Sequence, residues 1–111
     1  MLSQKHRLSK SADVKKTTAR GRSFFNPFFV LKIVPGDEPA KLTVITSVKV
    51  SKRAVDRNRL KRIIREAVRP LISKFKPGNY AVLVKSSALK ITPTELREQV
   101  MKSLNSSKTL N

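Results

Sequence analysis

Asp56-Arg57-Asn58-Arg59-Leu60-Lys61-Arg62-Ile63-Ile64-Arg65-Glu66-Ala67-Val68-Arg69 is where the chain changes from strand-like to helical patterning. Leu60, Ile63, Ile64, Ala67 and Val68 recur at the i, i+3, i+4, i+7, i+8 spacing of one buried stripe. The spacing predicts a helix over 57–69, with Asp56 as N-cap at the positive end of the helix dipole. Pro70 ends or kinks it near Arg69, although Leu71, Ile72 and Phe75 continue the apolar pattern. Opposite the stripe, Arg57, Lys61, Arg65 and Arg69 stack four apart, and Asn58, Arg62 and Arg69 fill the neighbouring row.

A helix with one apolar stripe needs a surface to cover, and the flanking runs supply a sheet. Phe24 to Val34 is rich in aromatic and β-branched residues and reads as strand, with Pro27 interrupting it or placing it at an edge. Leu42 to Val50 reads as a second strand. Pro35-Gly36-Asp37-Glu38-Pro39 between them is a turn, so the two runs are expected to pair antiparallel. After the helix, Pro77-Gly78-Asn79 is another turn, and the near-continuous apolar run Tyr80 to Val84 suits the centre of a sheet. Thr92 as cap, Pro93 at N1 and Glu95 completing a capping box open a last helix, buried through Leu96, Val100 and Leu104. Near the start, Ser11, Asp13 and Val14 to Arg20 form a short helix closed by Gly21.

The order helix, strands, helix, strand, helix predicts an α+β fold, with helices packed on a small sheet. Its length of 111 residues suits a single domain spanning 1–111, with flexible flanks at 1–6 and 106–111 and a frayed tail from Ser106.

Charge is the strongest global signal: 25 Lys+Arg against 7 Asp+Glu, net +18, with a pI near 11.3. Such an excess repels itself within a folded domain, and a polyanionic partner gives it a reason. A membrane is a poorer candidate, because no run approaches the ~18 apolar residues of a spanning helix. Met1 to Lys16 lacks the apolar core of a secretory signal, and a cytoplasmic location is the expectation. The absence of cysteine excludes disulfides, cysteine-bound zinc and thiol nucleophiles.

The 57–69 helix is almost free of interleaved acids, having only Glu66, so its cations cannot form the Glu–Lys lattice of an ordinary solvated face. Arg predominates there, and its guanidinium fork matches phosphate oxygens in pairs. Phosphate binding by Arg57, Asn58, Arg59, Lys61, Arg62, Arg65 and Arg69 is the expectation. Lys49, Lys52, Arg53 and Lys85, with Lys5, Arg7, Lys10, Lys15, Lys16, Arg20 and Arg22 near the start, form a second cationic layer, and Phe24, Phe25, Phe28 and Phe29 are either core residues or stacking platforms for unpaired bases. No catalytic residue and no metal site is expected: His6 is the only histidine, and the seven acids show no paired spacing.

The string Ala54-Val55-Asp56-Arg57-Asn58-Arg59-Leu60-Lys61-Arg62-Ile63-Ile64-Arg65-Glu66-Ala67 resembles the signature of the bacterial ribonuclease P protein family, A-V-x-R-N-R-x-K-R-x-x-R-E/Q. Arg7-Leu8, Gly21-x-Ser23, Tyr80, Lys85 and the last helix follow the family's order. The resemblance implies a two-layer α/β sandwich: a small mixed sheet with three helices, ribosomal-protein-like, with a left-handed β-α-β crossover. It implies a monomeric protein with no catalytic residue and no obligate protein partner. A separate catalytic RNA, requiring Mg²⁺, would remove the 5′ leader of precursor tRNA. The helix carrying Arg57, Asn58, Arg59, Lys61, Arg62 and Arg65 would dock on that RNA. A cleft between sheet and first helix would hold the single-stranded leader. Val14 and Thr18 stand where the family carries aromatics on the first helix, and Lys52 stands where it favours glycine. Leader contacts are therefore expected from Phe24, Phe25, Phe28, Lys49, Lys52, Arg53 and Lys85. The alternatives are a ribosomal or other structural RNA-binding protein, and a DNA-binding module using the 57–69 helix. For the latter, only Asn58 is an obvious base-reading side chain.

Overall fold

Tyr80 to Val84 occupies the middle of the sheet, as an apolar run buried on both faces requires. The computed structural model describes residues 3–110. Its elements are α1 (Ser11–Arg20), β1 (Arg22–Phe25), β2 (Phe29–Pro35), β3 (Lys41–Ile45), α2 (Ala54–Val68), β4 (Gly78–Val84) and α3 (Pro93–Ser106), with short 3-10 turns at Gln4–His6, Ile72–Lys74 and Ser86–Lys90. The strand order is β1-β2-β4-β3: β1 with β2 and β2 with β4 are antiparallel, while β3 and β4 are parallel. Thus β3, α2 and β4 form a β-α-β crossover between adjacent strands.

One expectation fails here. The runs on either side of the Pro35–Pro39 turn do not pair with each other, because β4 lies between them. The more apolar strand takes the two-sided position, and the connection spans two strand spacings, about 10 Å, instead of closing a hairpin. Asn26, Pro27 and Phe28 break the first run between β1 and β2, the interruption expected of Pro27, whereas the second run is shorter than expected and ends at Ile45, leaving 46–53 as a loop.

Register sorts the side chains. Phe29, Leu31, Leu42, Val44, Tyr80, Val82 and Val84 share one face and meet Leu60, Ile64, Val68, Leu96, Val100 and Leu104 of α2 and α3 in a single core. The other face is partly crossed by α1. Thr17 is buried there, Ala81 is fully covered, and Lys32 Nζ donates to the Thr18 carbonyl at 2.6 Å. Gly21 ends α1 in an extended conformation, φ −63°, rather than the left-handed one; a side chain there would strike the Thr17 carbonyl.

Two local readings also change. α2 starts at Ala54, so Asp56 lies in its first turn and Arg53 is the N-cap. Asp56 instead accepts a hydrogen bond from Ser51 Oγ at 2.9 Å, tying the incoming loop to the helix. At its other end α2 stops at Val68 with Arg69 as C-cap, as Pro70 led one to expect, and Ile72 and Phe75 reach the core from a separate turn. The segment after Ser106, expected to fray, packs: Thr109 is buried, its carbonyl accepts from Lys76 N–H at 2.8 Å, and Leu110 bridges Phe75. At the other flank, Leu8 is buried, its N–H donates to Leu42 O at 3.0 Å, and His6 Nδ1 lies 2.8 Å from the Ala40 carbonyl. Met1, Leu2 and Asn111, the ends of both flanks, lie outside the described residues.

Candidate nucleic-acid interface

α2 lays Leu60, Ile63, Ile64 and Val68 into the core and turns its cations outward. Asn58, Lys61, Arg62, Arg65 and Glu66 line one concave surface of about 400 Å³. Glu66, its one acid, reaches across to Arg97 of α3 at 3.8 Å. Lys61, Arg62 and Arg65 therefore have no carboxylate partner among the described residues. A hollow lined by three such cations and one amide can hold anionic oxygens from several directions.

The other α2 residues separate from this group. Arg57 is half-buried, and its Nη1 donates to the Ser51 carbonyl at 2.8 Å, so part of its guanidinium holds the preceding loop. Arg59 is exposed on the α3 side, at a small crevice with Leu60, Leu89 and Leu96. Arg69 is exposed at the C-cap, one turn beyond the hollow.

The four candidate phenylalanines divide by strand alternation and by the bend at Pro27. Phe24 pairs with Leu31 on the core side, with the Arg22 guanidinium 5.3 Å above its ring. Phe29 is core, and Phe28 is half-buried against that core from the bend, where Asn26 Oδ1 accepts its N–H at 2.9 Å. Phe24 and Phe28 are thus half-buried, each turning part of its ring to the core and part to solvent. Phe25 is the exception, 80% exposed on the α1 face. It heads the cross-strand row Phe25, Val30, Leu83, Ile45, which continues the sheet surface beyond the part α1 covers.

Lys85 follows the same end of β4; it is exposed, and its Nζ donates to the Asn26 carbonyl at 2.9 Å. Lys49, Lys52 and Arg53 are exposed in the loop that leaves β3 at this end, with Arg53 4.0 Å from Asp56. The structure thus brings Phe25, Lys85 and the loop cations to the end of the sheet where α2 begins. Two contributors escaped the sequence reading. Lys32 anchors α1 to the sheet, and its signal was a lone cation alternating with Leu31 and Ile33. Ser51 accepts from Arg53 N–H at 3.1 Å and shapes the loop, with only an isolated hydroxyl as signal.

A profile described as ribonuclease P matches residues 2–108. The ribonuclease P protein component of Xanthomonas axonopodis pv. citri is 38% identical over 88 residues, 79% of this chain and 59% of that protein. That of Xylella fastidiosa is 36% identical over 77 residues, 69% of this chain and 57% of the relative. The chain thus spans about three fifths of the length of these curated relatives. The solved structure of the Staphylococcus aureus RNase P protein superposes with a TM-score of 0.86 at 27% identity, covering 96% of this chain and 98% of that one.

Proposed function

The chain belongs to the ribonuclease P protein family, and from that membership we propose that it is the RNA-binding subunit of a ribonuclease P that removes the 5′ leader of precursor tRNA. The observation that carries this is the hollow on α2, where Lys61, Arg62 and Arg65 gather around Asn58 with no carboxylate partner of their own among the described residues. In this reading α2 docks on a separate catalytic RNA, and the protein contributes binding while the RNA performs the hydrolysis. Phe25 offers a stacking face to an unpaired leader base, and Lys85, Lys49, Lys52 and Arg53 receive its phosphates. In the same reading the Mg²⁺ of the reaction belongs to the RNA, and this chain supplies no metal site. The protein acts as a monomer beside its two RNA partners, and a cytoplasmic location follows from that substrate.

The test is cleavage of a precursor tRNA by the cognate catalytic RNA at low Mg²⁺, with and without the protein. Cleavage is expected only with protein present, and Arg62→Ala with Arg65→Ala is expected to abolish the rescue while leaving the fold intact. RNA binding without rescue would instead favour a structural, ribosomal-type role. Tighter binding to duplex DNA than to structured RNA at matched salt would overturn both.

A further inference from the structure

Away from the α2 hollow, a second cationic concavity opens where α3 ends. Its volume is about 320 Å³, and it lies between the start of β1, the turn before β4 and the segment after α3. Arg22, Lys76 and Lys108 line it, and among the described residues no Asp or Glu does. These cations come from three separate stretches of chain, so the spacing of no single element explains their convergence. A favourable charge at the end of a helix accounts for Lys108, next to the α3 C-cap Ser107. It does not account for Arg22 on β1 or Lys76 before β4.

The wall of the concavity suits an anion. Three carbonyls near the end of α3 are already engaged: Ser107 N–H donates to Ser103 O at 3.0 Å, Ser107 Oγ to Leu104 O at 3.2 Å and Lys108 N–H to Asn105 O at 3.1 Å. The hydroxyls of Ser107 and Thr109 sit 2.7 Å apart in the same lining. Lys108 has φ 56°, a left-handed conformation that disfavours residues with a Cβ. That turn buries Thr109 and returns the chain to Phe75, with Lys108 at the concavity.

We propose that this concavity is a second RNA-backbone site, in which Arg22, Lys76 and Lys108 hold one or two consecutive phosphates. It lies at the C-terminal ends of α2 and α3, whereas Phe25, Lys85 and the 46–53 loop lie at their N-terminal ends. The two sites are separated by roughly the length of the 15-residue α2, about 20 Å. RNA bound at both is gripped at opposite ends of the molecule. The inference rests on the RNA-binding reading of α2, and its test separates the two.

Binding of the full chain to the cognate catalytic RNA is measured as a function of salt for three proteins. These are the unaltered chain, Lys76→Gln with Lys108→Asn (asparagine tolerates the left-handed conformation), and Arg62→Ala with Arg65→Ala; Arg22→Gln serves as an independent probe of the concavity. The Lys76/Lys108 variant is expected to bind about three- to tenfold more weakly at ~0.1 M salt, with a log–log salt slope shallower by about 1–2 and an unchanged Tm. Arg22→Gln is expected to shift the slope in the same direction. Unchanged affinity and slope in the concavity variants, beside weakened binding in the α2 variant, overturns the second site alone. No change in any variant overturns the reading of α2 as the RNA-docking helix. Titration with inorganic phosphate supplies the last arm: amide shifts at Lys76 and Lys108, with an unaltered RNA slope, make this a free-anion site and overturn the proposal.

Discussion

Phe25 and Phe24 are neighbours in sequence with opposite surroundings, and substituting each with alanine separates binding from stability. Phe25 is exposed, so Phe25→Ala should leave stability within about 0.5 kcal/mol, as surface changes generally do. Its expected effect is on the leader: loss of one stacked base, about 1–3 kcal/mol, weakens a leader-bearing precursor relative to mature tRNA by roughly five- to a hundredfold. Phe24 packs against the core, so Phe24→Ala should lower Tm and change leader discrimination little. Equal effects of the two on leader affinity would remove Phe25 as the stacking face. Tyr80 gives a residue-scale prediction in pH. Its hydroxyl donates to the Lys76 carbonyl at 2.5 Å, and burial pushes its pKa up to about 12 from an ordinary 10.0. Below pH 10 the phenol is neutral in both folded and unfolded chains, and its contribution to stability is complete. Between pH 10 and 12 the unfolded chain loses this proton while the folded one keeps it, so stability falls as pH rises, by a total of about 3 kcal/mol. Tyr80→Phe should cost about 1 kcal/mol at neutral pH through the lost hydrogen bond, and should flatten the alkaline loss relative to the unaltered chain. Parallel pH–stability curves for the two would show that burial of this phenol does not set the slope.

At the scale of elements, what could be read in advance was local, and what could not was long-range. α3 was legible because its start is written within four consecutive residues: Thr92 Oγ1 accepts from Glu95 N–H at 3.1 Å, with Pro93 in the first turn. Thr92→Ala is therefore expected to destabilise the protein by about 1 kcal/mol in denaturant unfolding; no change would show that packing of Leu96 and Val100 alone sets that end. The α2 cations were legible for the same reason, since spacing alone puts Lys61, Arg62 and Arg65 outside the apolar stripe. The start of α2 was misjudged because Ser51, five residues before Asp56, takes the carboxylate that would otherwise cap the helix. Sheet order was not legible, because the position of β4 between β2 and β3 depends on pairings across more than thirty residues, which no local pattern records. Nor could alternation assign the phenylalanines, since the bend at Pro27 resets the phase between Phe25 and Phe28. Gly78 carries much of this long-range geometry. Its φ is +152°, and a Cβ there would lie 2.6 Å from the Val34 carbonyl on the paired strand. Gly78→Ala should cost about 2–4 kcal/mol, visible as a large drop in Tm.

For the molecule as a whole, a net charge of +18 on a fold with extents of 35 × 27 × 25 Å makes salt act with opposite signs on folding and on binding. The free protein repels itself. Acids are too few to neutralise the surface, and the exposed pair Glu66–Arg97 at 3.8 Å and the partly exposed pair Arg53–Asp56 at 4.0 Å are worth little individually. Raising salt from about 0.05 to 0.5 M shortens the screening length from roughly 14 to 4 Å, so the protein alone should become more stable, with a higher Tm. RNA binding should move the other way, because each phosphate neutralised releases a counterion; contacts from Lys61, Arg62 and Arg65 alone predict a log–log slope of about −2 to −3. Binding to the folded state also stabilises it by mass action. Thermal unfolding with and without the catalytic RNA should consequently give two curves that converge as salt rises, one climbing and the other losing its RNA-dependent excess. A free-protein Tm that falls with salt would mean that attractive pairs dominate the surface. The excess charge would then need an explanation other than a phosphate backbone waiting to neutralise it.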